Sequence, residues 1–118
     1  MITTSSLDAQ NRIRADKAVV VVLTRRRAAQ SDDTVRAVAA AVKDEQIEAI
    51  AVDVDDPQNA AFLDDMHVAF VPEVLVCQRG VVLERSGVAS AADARALFAS
   101  ALRRNRSSAP PTSVPPSL

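Results

Sequence analysis

Apolar positions along this chain switch between two spacings. Ala18 to Thr24 holds four consecutive valines and Leu23. A short β-branched run bounded by charge predicts a strand buried on both faces. Arg25 to Gln30 reads as a loop. Ser31 is placed to cap the next helix, with Asp32 and Asp33 near the positive end of its dipole. Val35, Val38, Ala39 and Val42 then recur at helical spacing and predict one stripe facing a core. Ile50-Ala51-Val52-Asp53-Val54 is a second strand. Asp56-Pro57 predicts an N-cap followed by proline at the first helical position, with Phe62, Leu63 and Met66 turned inward.

Val68 to Pro72 leads into a third strand, Val74 to Cys77. Arg79-Gly80 is a two-residue turn with glycine second, a good hairpin signal, and Val81 to Glu84 returns from it. Gly87 ends that strand. Ser90-Ala91-Ala92-Asp93 has the form of a capping box. Ala94, Leu97, Phe98, Ala101 and Leu102 make a last apolar stripe, and Arg103, Arg104 and Arg106 follow at the helix's negative end. The order is strand, helix, strand, helix, hairpin, helix. It predicts an α/β fold in which a right-handed βαβ unit and an antiparallel hairpin build a mixed sheet of four or five strands, with helices on both faces.

The chain has 118 residues, enough for one domain. The expected division is a partly helical or flexible segment over 1–16, a folded domain over 17–105 and a disordered Ser/Pro-rich tail over 106–118. The tail's prolines never take P-x-x-P spacing. Aromatics are 3% of residues, with no Trp or Tyr, so Val, Ala and Leu must fill the core. Fourteen basic and fifteen acidic side chains leave a formal charge of −1, which implies no general attraction to nucleic acid or anionic membranes. Three phenylalanines are too few for a base-stacking platform. One cysteine and one histidine exclude an internal disulfide and leave zinc without its usual ligands. No metal or cofactor is expected. The N-terminus shows no apolar run of signal-peptide length and no stretch has the length of a membrane helix, so a cytoplasmic protein is expected.

A proline entering a strand that reads as central is unusual, because it cannot donate to the ladder. With that proline, the element order resembles the thioredoxin family over roughly residues 17–104. Val52-Asp53-Val54-Asp55 resembles the family's strand ending in acidic residues. Val71-Pro72 resembles its cis-proline step, and Gln78-Arg79-Gly80 its hairpin turn. Ser86-Gly87-Val88-Ala89-Ser90 is similar to the loop before its last helix. The resemblance places the redox motif on Ala29-Gln30-Ser31-Asp32. Both cysteine positions are lost there, to Ala29 and Asp32. The flanking tryptophans fall on Arg25 and Ala28, and the buried acid of the preceding strand on Leu23. Dithiol exchange needs an attacking thiolate and a resolving thiol, and this chain offers neither pair member at those positions. Looser likenesses join Ser31 to Val38 and Asp56-Pro57-Gln58 to the KaiB clock proteins, and Val68-x-x-x-Pro72 to hydrogenase-assembly chaperones.

The resemblance implies a redox-inactive protein that binds another protein, as an adaptor, assembly chaperone or oligomeric building block. The binding surface would be the former active-site and cis-proline region: Arg25, Arg26, Arg27, Ala29, Gln30, Ser31, Phe70, Val71, Pro72, Gly87 and Val88. Arg25-Arg26-Arg27 would form a basic rim suited to an acidic peptide or a phosphate, although Asp32 and Asp33 compete with any anion there. Two alternatives stand beside this one: a monothiol redox enzyme using Cys77, and a KaiB-like clock or signalling module. Alternation places Cys77 with Leu75 on one strand face, where a free thiol is ordinarily buried. Asp53, Asp55, Asp56, Asp64 and Asp65 match no EF-hand spacing and read as caps and a solvated face.

Overall fold

The computed structural model describes the backbone over residues 2–3, 6–25, 27–45, 47–68 and 70–107. The elements are β1 (Ile2–Thr3), α1 (Ser6–Ile13), β2 (Val19–Thr24), α2 (Ala29–Glu45), β3 (Glu48–Asp53), a 3₁₀ turn (Pro57–Asn59), α3 (Ala60–Asp65), β4 (Glu73–Gln78), β5 (Val81–Ser86) and α4 (Ala91–Ser107). They form a five-stranded sheet in the order β1-β3-β2-β4-β5. β1, β3 and β2 run parallel, and β4 and β5 continue antiparallel.

The valine run forms β2, the central strand, because β-branched side chains fit a strand covered on both faces. Val19, Val21 and Leu23 face one layer, and Val20 and Val22 the other. The first layer is closed by α1 and α3 through Ala9, Ile13 and Phe62. The second is closed by α2 and α4 through Ala37, Val38, Ala41, Ala94, Phe98 and Ala101. Phe62 and Phe98 are the largest fully buried side chains, one in each layer. Truncating either to alanine removes about 3–5 kcal/mol by the usual sum of transfer and cavity terms.

Several boundaries differ from the sequence expectation. Helix α2 begins at Ala29, so Ser31 lies inside its first turn and does not cap it. The Ser31 Oγ is buried and accepts the Arg25 N–H at 3.0 Å, closing the loop instead. Ala39 stays outside the core, whose α2 stripe uses Ala37 and Ala41. β3 starts at Glu48 and β5 runs on to Ser86. Helix α4 extends through Ser107, past the expected start of the tail; residues 108–118 lie outside the described residues.

Two caps follow the sequence. The Asp56 carboxylate accepts the Gln58 N–H at 3.0 Å ahead of the 3₁₀ turn. The Ser90 hydroxyl accepts the Asp93 N–H at 3.1 Å, and the Asp93 carboxylate accepts the Ala89 N–H at 3.2 Å. In the β4–β5 turn Arg79 has φ 54° and Gly80 φ 80°. Two successive positive values make the primed turn that suits the twist of a hairpin, and glycine takes its share of it without a Cβ penalty. The last residue of α1 and the segment just after it seal this turn. Gly80 N–H donates to the Ile13 carbonyl at 2.8 Å and Arg79 N–H to the Ala15 carbonyl at 3.0 Å.

Candidate functional site: the cis-proline cavity

β4 begins immediately after Val71-Pro72, whose peptide bond is cis. At this end of the sheet three segments meet: the first turns of α2, the Phe70–Pro72 approach, and the Gly87–Ala89 loop before α4. They enclose an open cavity of about 470 Å³. Gln30, Asp33 and Thr34 line it from α2, Phe70, Val71 and Pro72 from the approach, and Gly87, Val88, Ala89 and Asp93 from the last loop and α4. The Thr34 hydroxyl donates to the Val88 carbonyl at 3.1 Å, which ties α2 to that loop. Val88 is buried in the core and forms part of the cavity's floor.

Phe70 is 49% exposed. An aromatic side chain left half in water is apolar surface that the described residues do not cover. Its ring reaches to 3.8 Å from where a Cβ on Gly87 would sit, an ordinary contact, so the position would admit a methyl. No hydrogen bond between described residues uses the Val71 N–H or C=O.

An ion pair fixes the position of this approach. Glu73, 2% exposed, receives a two-pronged contact from Arg85, Nε to Oε2 at 2.9 Å and an Nη to Oε1 at 2.7 Å. A second Arg85 Nη donates to the Met66 carbonyl at 2.7 Å. The guanidinium thus holds the chain on both sides of Phe70: Met66 before it and Glu73 after it. Its hydrogen bond to Glu73, the dominant influence, holds Arg85 above its ordinary pKa even though burial pulls the other way. Sequence reasoning missed this clamp. The available signal was a carboxylate opening an otherwise apolar strand, which requires a cation nearby. Arg85 pairs with Leu75 across the hairpin, so it is the diagonal neighbour of Glu73 on the same face.

The remaining expected site residues disperse. Arg25 lies 3.6 Å from the Asp55 carboxylate, by its Nε, and does not line the cavity. Arg27 is exposed with φ 58°, and Ala29 is exposed as well; neither lines the cavity. Ser31 is buried under its own loop. Arg26 lies outside the described residues. Among the described residues the charged side chains lining the cavity are carboxylates, Asp33 and Asp93, and neither Arg25 nor Arg27 forms a basic rim to it. The reason is local: the loop turns at Arg27 through positive φ, and acidic residues at the start of α2 and α4 occupy the places nearest the opening.

Cys77 is fully buried in the layer under α1 and α3, across the sheet from α2. Burial pushes its thiol up to about 12, against a small opposing pull from the Arg85 charge. His67 is exposed in the loop after α3, at φ 54°. Among the described residues no three His, Cys, Asp or Glu side chains gather as a metal site. No helix of the described residues is long and apolar enough to cross a membrane.

No protein-family model matches this sequence, and no curated protein matches it either. Solved structures do. A chain from the crystal structure of a ferredoxin:thioredoxin reductase and thioredoxin f2 complex is similar with TM-score 0.75 and 14% identity, over 86% of this chain and 94% of that one. The thioredoxin of Fasciola hepatica is similar with TM-score 0.70 and 20% identity, over 89% and 100%. The thioredoxin of Trypanosoma brucei brucei gives TM-score 0.65 and 18% identity, over 87% of each chain. Five strands in the observed order, the four helices on two faces, the cis-proline ahead of β4 and these likenesses together give the chain the thioredoxin fold.

Proposed function

We propose that this chain is a redox-inactive, cytoplasmic protein that binds an extended segment of another protein in the cis-proline cavity, as an adaptor or assembly chaperone. The observation that carries the reading is the half-exposed Phe70 beside the Val71 backbone, whose N–H and C=O no hydrogen bond between described residues uses. An extended segment laid along Val71 gains main-chain hydrogen bonds, while its side chains find Phe70, Pro72 and Gly87. Gln30 and the Val88 floor complete the surface. One similar structure is a complex of a reductase with a thioredoxin f2, which supports a protein partner for this fold.

The lone cysteine supports the non-redox part. Thiolate is the reacting species, and a fully buried thiol raised to about 12 supplies almost none at neutral pH. The Cys77 enzyme reading has no access route to support it. Two measurements test the proposal. The purified protein should not accelerate insulin reduction by dithiothreitol above a blank. Phe70→Ala should weaken a partner recovered by pull-down from the native host by ~2 kcal/mol, mainly through faster dissociation, while the melting temperature holds. Reductase activity that disappears in Cys77→Ala overturns the reading. So does a Phe70→Ala protein that melts early and binds normally.

A further inference from the structure

We propose that the cavity selects a segment carrying a cationic side chain, lysine or arginine, next to an apolar one. This deepens the reading above and rests on it. The apolar half follows from Phe70, one of two large apolar side chains exposed among the described residues. The cationic half follows from charge. Asp33 and Asp93 come from two different helices and are the charged side chains lining the opening. Two described arginines of neighbouring segments are engaged elsewhere. Arg25 leans on Asp55 at 3.6 Å, and Arg85 is turned into Glu73 and the Met66 carbonyl.

Asp93 is held in place by the Ala89 N–H, so its carboxylate is oriented before any partner arrives. Asp33 contacts Arg36 at 2.7 Å, but both side chains are largely exposed. Such a pair is loosely held and can exchange partners with an incoming cation. The N-termini of α2 and α4 offset part of the negative charge, about half an elementary charge each, and Arg36 balances Asp33 until it is displaced, so the standing negative charge at the opening rests on Asp93. An acidic or phosphorylated segment would meet two carboxylates and, among the described residues, no lining cation, and like charges placed together discriminate against the wrong partner.

The probes are three short peptides of identical length: Gly-Leu-Val-Lys-Gly, its Lys-to-Glu twin, and Gly-Ser-Ser-Lys-Gly. Amide chemical shifts of the labelled full chain are followed during each titration. The Leu-Val-Lys peptide is expected to move the amides of 30–34, 70, 71, 73 and 87–93 and to bind about fivefold tighter than its Glu twin at low salt. The preference should shrink in ~0.5 M sodium chloride. Asp93→Asn, which can still accept the Ala89 N–H, and Asp33→Asn should each reduce it. If the Lys and Glu peptides shift the cavity amides equally, charge selection is overturned and the docking reading stands. If no peptide shifts those amides, both fall. If the Ser-Ser-Lys peptide binds as well as Leu-Val-Lys, the apolar half is overturned.

Discussion

At one end of β4 the Arg79-Gly80 turn gives both of its N–H groups to carbonyls of Ile13 and Ala15. At the other end, Phe70 stands half in water and the Val71 backbone meets no described partner. The same strand joins a closed end to an open one. The closed end is finished by the chain's own helix, which leaves nothing for a partner to complete. The open end is equally well fixed, by the Glu73–Arg85 pair and the Thr34–Val88 hydrogen bond, yet it leaves Phe70 half exposed. Rigidity around an exposed apolar side chain is what a pre-organised binding site requires.

The largest expected effect breaks the open end from beneath. Arg85→Ala leaves the Glu73 carboxylate buried without its cation and should cost roughly 3 kcal/mol in urea denaturation. Because Arg85 also holds the Met66 carbonyl, the Phe70 and Val71 amides should shift in the folded variant. Arg85→Ala that unfolds at the parent's midpoint with those amides unmoved would show that the clamp does not position the site.

Cys77 tests the dry layer between the two ends. Below pH 9 the thiol is protonated in both folded and unfolded chains and adds no pH dependence. Between the unfolded value of 9.0 and the folded value of about 12, only the unfolded chain releases the proton. Stability should therefore fall by ~1.4 kcal/mol per pH unit from this group, and Cys77→Ala should abolish that part of the alkaline slope. Rapid labelling of the native thiol by Ellman's reagent near neutral pH would contradict it.

Gly80→Ala sharpens the contrast with the smallest change. A Cβ at φ 80° costs about 1 kcal/mol, although nothing stands in its way. The loss should appear in the melting temperature alone, with peptide binding at the cavity unchanged. Altered binding would mean that the two ends are coupled through β4.

Much of the architecture could be read from short, locally determined signals. The β2 valines, Asp56-Pro57, Arg79-Gly80 and the Ser90–Asp93 cap each specify their own conformation. Phe70, Val71, Pro72, Gly87, Val88 and Gln30 were also named together from the sequence, and they do share one cavity. What escaped depends on distant partners. Two residues cannot announce β1, which exists only through pairing with β3. Arg25-Arg26-Arg27 gave a charge but no direction, since direction is set by the turn at Arg27 and by Asp55. The Glu73–Arg85 pair needs the hairpin register, including its irregularity at Val76/Cys77, before the two side chains can be placed together.

The sealing of the hairpin by α1 turns two amides into a gauge. Backbone N–H groups at the tip of a two-residue turn ordinarily exchange with solvent deuterium almost freely. Here those of Arg79 and Gly80 are held by the carbonyls of Ala15, just past α1, and Ile13, its last residue, so their exchange reports how often the N-terminal helix and the turn after it lift off. If it lifts without the sheet opening, these two positions will lose protection well before Val74 or Val76, and the gap between them measures the free energy of undocking one helix from an otherwise intact domain.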